Sequence, residues 1–524
     1  MKMKKVLALL LALVMVFALV ACGSDKPADT GSNTPGNNPS SGDNAESKTL
    51  VIADTDDVTL NFTNDGVTYN VFGNALCYDC LSFPNQATGQ RESALLESWT
   101  NENKQLTLKF KEGITFTDGT PLTGEDVIWS FKRYVDAGTA GENLLAFDWE
   151  NATVSDDNLT VVIPTFEDYA PGISALDDMQ IVCKAYQEAH PADDECWFTT
   201  VQGTGPYYCV EQVSGVSSTY KVRDNYWGDL KFSYDTIVVK FYSDNTAMAI
   251  DFEDGKIDII QRLDNFTYEQ IQKGEIENAT AKLLMEGNVV VFCVDYKNVE
   301  AWNDVRVRQA FAMAIDYDAI GIGGFGGTYK RVDSLYPDSC IGYVSNPWEH
   351  NIEKAKQLMA DAGYGDGLTL KFCTRDRYAD AAEVLQGQLS QIGVTLDIEI
   401  VDTMTLFDRF QSGEIDAGMG WWMSDCSGEP SLIFNEAVEG NSKYTYRVYD
   451  KEWNELIAKC NTETNDAKRV ELLKELQQSY HDNVWQIIVL DQAKTWCYNA
   501  EKLGEDFELF RGGVPLGLRY NYVG

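Results

Sequence analysis

The chain has 524 residues and a formal net charge of −39, from 42 Lys and Arg against 81 Asp and Glu. Proteins bind DNA and RNA largely through basic contacts to phosphates, so this acidic balance excludes nucleic-acid binding. We interpret the acidity as a solubilising surface, with a preference for cationic ligands as the alternative.

The chain opens with a basic stretch, which contains Lys2, Lys4 and Lys5, followed by an apolar run from Val6 to Ala21. This length and these flanks predict a secretory signal peptide over residues 1–21. An uncleaved anchor helix is the alternative, since a spanning helix needs about 20 apolar residues. No second long apolar run follows, so the remainder is expected to be soluble.

The end of the apolar run, Leu19 to Cys22, resembles a bacterial lipobox, in which the cysteine becomes the acylated N-terminus. Two or more acyl chains make attachment to a membrane stable, so Cys22 is the predicted lipidation site. Residues 22–48 hold almost no large apolar side chain and are predicted to form a disordered tether. The protein is therefore expected on the outer face of the cytoplasmic membrane, with its body outside the cell or in the periplasm.

The body alternates predicted strands and helices. Gln105 to Phe110 alternates polar and apolar residues as a strand does. Asp118-Gly119 is a turn signal. Thr123 and Asp126 form a capping box ahead of an apolar helix.

The second half of the body predicts a β-α-β-α-β order. Asp304 can cap a helix over residues 304–320. Further helices and strands are predicted in chain order: a helix from Ala355 to Ala362 stopped by Gly363, a strand from Leu368 to Phe372, a helix over 379–391, a strand from Val394 to Ile400, a helix over 403–411 and a strand from Ile415 to Trp422. This order is typical of an α/β lobe with a largely parallel sheet.

The sequence GIGGFG at residues 321–326 matches the dinucleotide-binding pattern. That pattern needs a strand before it and a helix after it, whereas here a predicted helix comes before it. We interpret it as a glycine-rich loop, and no cofactor is predicted.

Other signatures of catalysis and metal binding are weak. The three histidines, His190, His350 and His481, have no metal-ligand spacing, and no nucleophile elbow occurs, so the protein is predicted not to be an enzyme. Cys77 and Cys80 form a single CxxC among 12 cysteines. Most of the cysteines are predicted to be buried thiols, and a redox-active or disulfide-bonded Cys77–Cys80 pair is the alternative.

Several segments together resemble the peptide/nickel group of extracellular solute-binding proteins, often called family 5. They are residues 106–133, GTGPY at 203–207, residues 224–241, GKIDI at 255–259, residues 304–320, residues 353–364 and residues 389–400. Their order and spacing extend over nearly the whole body. The resemblance implies an α/β, two-lobed periplasmic-binding-protein-like clamp of type II with three domains.

The same resemblance implies how the chain is divided. The discontinuous first lobe would consist of residues 49–90, 201–285 and 490–524, the inserted domain of residues 91–200, and the other lobe of residues 286–489. The implied function is that of a monomeric substrate-binding lipoprotein, which captures short peptides between its lobes and delivers them to the permease of an ABC importer.

By resemblance, peptide binders of this family hold the ligand's α-ammonium with an aspartate in a W-x-x-D segment. Trp422 and Asp425 match that segment, with Met423 between them and Glu429-Pro430 after it. Asp425 could instead be a loop acid. Trp421 and Trp422 alternate, so one is expected to face the cleft and the other the core.

The resemblance also places Arg377 where some oligopeptide binders keep a basic group for the ligand's C-terminal carboxylate, although a solvated arginine is the alternative. Met419 stands where such binders can carry another arginine, and Met404 where an aromatic residue is frequent. These two departures leave the ligand's length open.

Three other functions remain as alternatives. The same fold could bind an oligosaccharide, because 12 tryptophans offer stacking faces. It could bind nickel or another small solute, although few histidines are present. The most distant alternative is a lipid-anchored hydrolase.

Overall fold

The structure is a computed structural model. It describes residues 48–55, 71–85, 90–137, 142–177, 179–190, 202–229, 232–285, 287–336, 338, 340–423, 429–436, 450–505 and 507. Cys22 and Asp425 lie outside these residues, as does the predicted signal peptide. Within the described residues, no helix is both long enough and apolar enough to cross a membrane.

The strands, numbered along the chain, are β1 Thr49–Asp54, β2 Phe83–Asn85, β3 Gln90–Glu92, β4 Leu96–Glu102, β5 Gln105–Phe110, β6 Thr153–Val154, β7 Thr160–Pro164, β8 Tyr207–Val213, β9 Ser217–Val222, β10 Thr236–Phe241, β11 Ile259–Ile260, β12 Ala279–Leu284, β13 Asn288–Val294, β14 Tyr329–Lys330, β15 Leu368–Arg375, β16 Val394–Val401, β17 Ala417–Met423, β18 Ile487–Gln492 and β19 Lys494–Asn499.

The α-helices are α1 Val71–Cys77, α2 Gly124–Ala137, α3 Lys184–Ala189, α4 Asn245–Glu253, α5 Asn265–Gln272, α6 Val305–Ala314, α7 Tyr317–Phe325, α8 Ile352–Asp361, α9 Ala379–Ser390, α10 Thr403–Ser412, α11 Pro430–Glu436, α12 Lys451–Thr462, α13 Asp466–Asn483 and α14 Ala500–Leu503. Short 3-10 helices span Glu142–Ala146, Gly172–Leu176, Glu300–Asn303 and Asp376–Tyr378.

The seven-stranded sheet has the order β12-β19-β11-β1-β10-β9-β8 and draws its strands from both ends of the body. Strand β1 runs parallel to β10 and β11, and the other neighbours are antiparallel. Separate apolar clusters, one containing Leu50 and Ile52 and the other Ala53 and Met248, pack against this sheet. The sheet therefore joins segments that lie far apart in sequence.

The four-stranded sheet, β4-β5-β7-β6, lies between the first and later strands of the seven-stranded sheet in sequence. The predicted strand at Gln105–Phe110 is confirmed, and its alternating Leu106, Leu108 and Phe110 are buried. The predicted capping box is also confirmed, because the Thr123 amide donates to the Asp126 carboxylate at 2.9 Å, ahead of α2. This sheet has its own apolar core.

The six-stranded sheet has the order β14-β18-β13-β17-β15-β16. Strand β15 runs parallel to β16 and β17, as the β-α-β-α-β pattern predicts. The prediction of a largely parallel sheet is wrong for the other half, because β13 pairs antiparallel with both β17 and β18. Strand β18 follows α13 and returns from a distant part of the sequence, which local periodicity does not show.

The interpretation of GIGGFG as a loop is wrong. Residues 317–325 form α7, which ends at Gly326 in the left-handed conformation with a φ of 58°. The glycines allow close packing: a Cβ on Gly324 would lie 2.5 Å from the Cβ of Ala381 on α9. Close approach of two helices accounts for the glycine pattern.

Short polar residues begin most of the helices, as expected for N-caps. Asp304 accepts a hydrogen bond from the Arg306 amide and caps α6, which confirms the predicted helix start. The helices that an aspartate caps in the same way begin after Asp244, Asp264, Asp316, Asp402 and Asp450. Part of the chain's acidity therefore stabilises helix ends.

The predicted division into lobes stays a prediction, and each predicted segment contains one of the three larger sheets. One strand, β18, crosses the predicted boundary at residue 490. Two chain crossings, at residues 285–287 and 492–494, connect the seven-stranded and six-stranded sheets.

Candidate functional site

The candidate site lies at the carboxyl edge of the six-stranded sheet. Strands β15 and β17 are parallel neighbours, so their carboxyl ends, Arg375 and Met423, lie at the same edge. In open α/β sheets, ligands bind outside the carboxyl ends of the strands. Trp421 and Trp422 are the two residues before the end of β17, and Asp425 follows two residues beyond that end in sequence.

Arg375 is held against aromatic rings at this edge. Its guanidinium carbon lies 3.5 Å from the ring centroid of Trp421 and 4.8 Å from that of Tyr378. Trp421 is half-buried and also packs against Phe407 of α10, with ring centroids 5.3 Å apart. A cation over an aromatic face is stabilised by the ring quadrupole, which fixes the direction of the guanidinium.

Burial lowers the pKa of Arg375, and the nearby cation of Arg377 acts in the same direction. The Nε of Arg375 is buried and has no hydrogen-bond partner within the described part of the chain. The hydroxyl of Tyr378 is also buried and likewise makes no hydrogen bond within the described residues. An arginine is charged at any ordinary pH, so a partly buried guanidinium at this edge favours an incoming anion.

Arg377, the basic residue predicted to bind a carboxylate, lies two positions further on. Arg377 is exposed. Its guanidinium carbon lies 5.6 Å from the ring centroid of Tyr378, the same ring that Arg375 approaches. Its predicted role stays a prediction. Sequence reasoning missed Arg375, although this residue ends the strand whose alternation was recognised, a position that brings it to the edge beside Trp421.

Met419 is completely buried and pairs with Phe292 on β13. It belongs to the apolar core of the six-stranded sheet, so it has a packing role; its predicted ligand contact stays a prediction. Met404, by contrast, is 66 % exposed at the start of α10. The backbone of Trp422 and Met423 belongs to β17, and their predicted ligand contacts also stay predictions.

Glu429 holds the chain just after the W-x-x-D segment. Its carboxylate receives hydrogen bonds from both terminal nitrogens of Arg469, at 2.9 and 2.6 Å, and from the Ser431 hydroxyl at 2.8 Å. The Glu429 and Arg469 side chains are each only 7 % exposed. A bidentate pair of this kind fixes the start of α11.

The cysteines of the CxxC segment lie beside the seven-stranded sheet. Cys77 is buried, Cys80 is half-buried, and the carbonyl oxygen of Cys77 accepts a hydrogen bond from the Gly205 amide at 2.9 Å. Close packing of the GTGPY segment accounts for this position, since a Cβ on Gly205 would lie 2.5 Å from the Tyr78 amide nitrogen. The disulfide alternative stays a prediction.

A small, partly open cavity of about 30 Å³ lies elsewhere in the six-stranded sheet's lobe, between Trp348, His481 and Gln486. Small-molecule sites usually have volumes of roughly 300–1,000 Å³. The cavity is therefore too small for a peptide or a sugar, and the strand edge remains the better candidate.

Comparisons with known proteins identify the family and the fold. The family model for bacterial extracellular solute-binding proteins, family 5 Middle, matches residues 90–444. The oligopeptide-binding protein AppA of Bacillus subtilis (strain 168) is 24% identical over 536 residues, which cover 95% of this chain and 94% of AppA.

Two solved structures show the same fold. The periplasmic binding protein DppA from Helicobacter pylori, in complex with the peptide STSA, has a TM-score of 0.72 and 19% identity, covering 90% of this chain and 97% of DppA. NikA from Brucella suis, in complex with Fe(III)-EDTA, has a TM-score of 0.77 and 20% identity, covering 90% of this chain and 99% of NikA. The predicted family resemblance and the type II clamp fold are therefore confirmed.

Proposed function

The chain belongs to the bacterial extracellular solute-binding proteins of family 5, and from this membership we propose that it captures short peptides and delivers them to an ABC importer. The observation that carries the peptide assignment is the desolvated Arg375 guanidinium, stacked on Trp421 at 3.5 Å beside the W-x-x-D segment. AppA, with 24% identity over nearly the whole chain, is an oligopeptide-binding protein and supports the same ligand class.

A short peptide carries a positive charge at one end and a negative charge at the other. In the proposed complex, Asp425 holds the ligand's α-ammonium and Arg375 receives its C-terminal carboxylate. A bidentate arginine–carboxylate contact is stronger and more directional than a neutral hydrogen bond. The two charged groups would therefore set both the polarity and the length of the peptide.

The middle of the ligand needs no sequence-specific contact. An extended peptide offers backbone donors and acceptors that a strand can pair. Strand β17 pairs with β15 at Ala417 and Gly418 and continues from there to the proposed site. Water can fill the spaces left around small side chains. Main-chain pairing with wet side-chain pockets suits a protein that takes up many different peptides.

The proposal includes export and anchoring. Residues 1–21 would direct secretion, acylated Cys22 would hold the protein on the membrane, and residues 22–48 would let the body reach the permease. Replacing Cys22 with alanine should release the protein into the medium or periplasm, measured by fractionation of cells that express it. A variant that stays on the membrane would contradict the anchor.

The ligand is tested by native mass spectrometry of protein purified from its host. We expect co-purified peptides with the wild type, and their loss with Asp425→Asn and with Arg375→Met. Arg377→Met is the matched control, because this exposed arginine lies two residues away. If Arg377→Met loses peptides and Arg375→Met keeps them, the carboxylate assignment to Arg375 is wrong.

A metal chelate is the second candidate, because the guanidinium of Arg375 also suits an anionic chelate such as the Fe(III)-EDTA bound by NikA. Within the described residues, no group of three His, Cys, Asp or Glu side chains could hold a bare metal ion. A thermal-shift panel of peptides, Ni(II)–histidine and β-glucan fragments separates the candidates, since only a ligand raises Tm. The sugar alternative is weakened by Arg375, which covers a face of Trp421.

A further inference from the structure

The four-stranded sheet is joined to the seven-stranded sheet through the buried Arg223, which follows β9. Its guanidinium donates to the carbonyl oxygens of Thr115 at 3.2 Å and Phe116 at 2.6 Å, both beside the four-stranded sheet. It also donates to the carbonyl oxygens of Thr204 at 3.2 Å and Gly205 at 3.1 Å, which begin the return to the seven-stranded sheet. One desolvated side chain thus ties both parts together, so we expect them to move as one body.

Helix α11 is attached to the six-stranded sheet's lobe. Phe434 packs edge-on against Tyr336 and Trp453, with ring centroids 5.7 and 5.5 Å apart. At the other end of the helix, Glu429 is paired with Arg469 of α13. These contacts make α11 part of that lobe.

The same helix reaches into the core of the four-stranded sheet. Leu432 is only 6 % exposed and belongs to that core, whereas the neighbouring Ile433 and Phe434 belong to the core of the six-stranded sheet. A backbone hydrogen bond lies nearby, from the Ala170 amide to the Asn461 carbonyl oxygen at 2.7 Å. The predicted inserted domain and the predicted third lobe therefore share a buried contact.

We propose that Leu432 on α11, together with the Ala170–Asn461 hydrogen bond, is a closure latch between the inserted domain and the third lobe. The proposal deepens the peptide-capture function and rests on it for the identity of the ligand. In the closed clamp, Leu432 is buried in the inserted domain's core, and in the open clamp it is exposed to water. The inserted domain, which contributes no residue to the predicted ligand site, thereby stabilises the ligand-bound form.

The physical argument is one of linkage. A peptide shifts the open–closed balance only as far as it prefers the closed form. Apolar burial of a leucine adds to the stability of the closed form, whichever peptide is bound. The latch would therefore raise affinity uniformly across ligands and leave their ranking unchanged.

The test is the rate at which a thiol at position 432 reacts with N-ethylmaleimide, followed by peptide mapping in a mass spectrometer. Leu432→Cys should react about 100-fold faster than Leu108→Cys, because clamp opening costs less free energy than unfolding. Leu108 is the matched control: it is fully buried in the same core, on β5, away from α11. A pool of synthetic tri- to pentapeptides should slow the reaction at position 432 and leave the control unchanged.

Equal reaction rates for the two thiols would overturn the latch, since Leu432 would then be exposed only by unfolding. A fast reaction at position 432 that the peptide pool fails to slow would support the latch and contradict the peptide ligand. The two proposals therefore fail in different ways.

Discussion

At the scale of single residues, the buried pair of Glu429 and Arg469 has consequences that an exposed pair does not. Both side chains are 7 % exposed and joined at 2.6 Å, and the pair begins the helix after the W-x-x-D segment. Removing one partner of a buried pair leaves the other charge desolvated and uncompensated.

Glu429→Gln should therefore lower the free energy of unfolding by about 3–5 kcal/mol. The measurement is chemical denaturation followed by tryptophan fluorescence. Glu399→Gln is the control, because Glu399 also pairs with an arginine, Arg409 at 2.6 Å, but is 60 % exposed. A Glu429→Gln variant as stable as Glu399→Gln would show that the buried pair contributes nothing.

The residue scale also shows where sequence reasoning stops. The resemblance predicts Arg377 as the carboxylate-binding residue, yet the side chain that the fold brings to Trp421 is that of Arg375. Two arginines lie two residues apart, and which of them lies over the ring depends on where β15 ends. This end is set by pairing with β16, where Arg375 is opposite Val401. A single sequence contains no information on that register.

At the scale of elements, α7 shows how packing can override composition. The sequence predicts a glycine-rich loop here, because the segment lacks the strand-before, helix-after context of a dinucleotide-binding turn. In the structure, Gly324 faces Ala381 of α9, where a Cβ would approach within 2.5 Å. The helix forms because two helices can approach closely, and this gain is invisible to local propensity.

Two glycine substitutions should therefore have opposite effects. Gly324→Ala should destabilise the protein by about 1–3 kcal/mol through overpacking against α9. Gly387→Ala, inside α9 with nothing within 4 Å of the added Cβ, should stabilise it by about 0.5–1 kcal/mol. Differential scanning calorimetry of the two variants measures whether each one raises or lowers the stability of the protein. A Gly324→Ala variant as stable as the wild type would refute the packing explanation for the glycine pattern.

Elements with local signals were predictable for a physical reason. The strand at Gln105–Phe110 alternates because one of its faces is buried, and Asp304 caps α6 because a carboxylate satisfies an otherwise unpaired amide. The antiparallel β13 and β18 were missed, because β18 pairs across roughly 200 residues of chain. Pairing between strands so far apart in sequence produces no local pattern of apolar residues that identifies the partner strand.

At the scale of the whole molecule, the proposed closure requires the three larger sheets to act as two bodies. The seven-stranded sheet uses strands from both ends of the described chain, a feature implied by the family resemblance and absent from composition or periodicity. The four-stranded sheet lies within that sequence, and Arg223 links the two. If this junction is stiff, the inserted domain moves with the first lobe. The contact at Leu432 then forms only when the first and third lobes close.

Arg223→Met should weaken that junction. Burial already lowers the pKa of Arg223, so the cation is retained through the hydrogen bonds that it donates to surrounding carbonyl oxygens. Methionine keeps much of the volume but leaves several buried acceptors unpaired, each at a cost of about 1–3 kcal/mol. We expect the calorimetric unfolding of the described body to separate into two transitions, the earlier one from the four-stranded sheet.

The control for this prediction is Lys221→Met, which removes an exposed cation two residues earlier, near the end of β9. It should unfold like the wild type, because an exposed lysine stabilises little. The same Arg223→Met variant should also lose the coupling between peptide binding and thiol protection at position 432, since an inserted domain that no longer follows the first lobe cannot report clamp closure. If its transition stays single and the protection persists, Arg223 does not join the two sheets, and the inserted domain must be held to the first lobe by its apolar contacts.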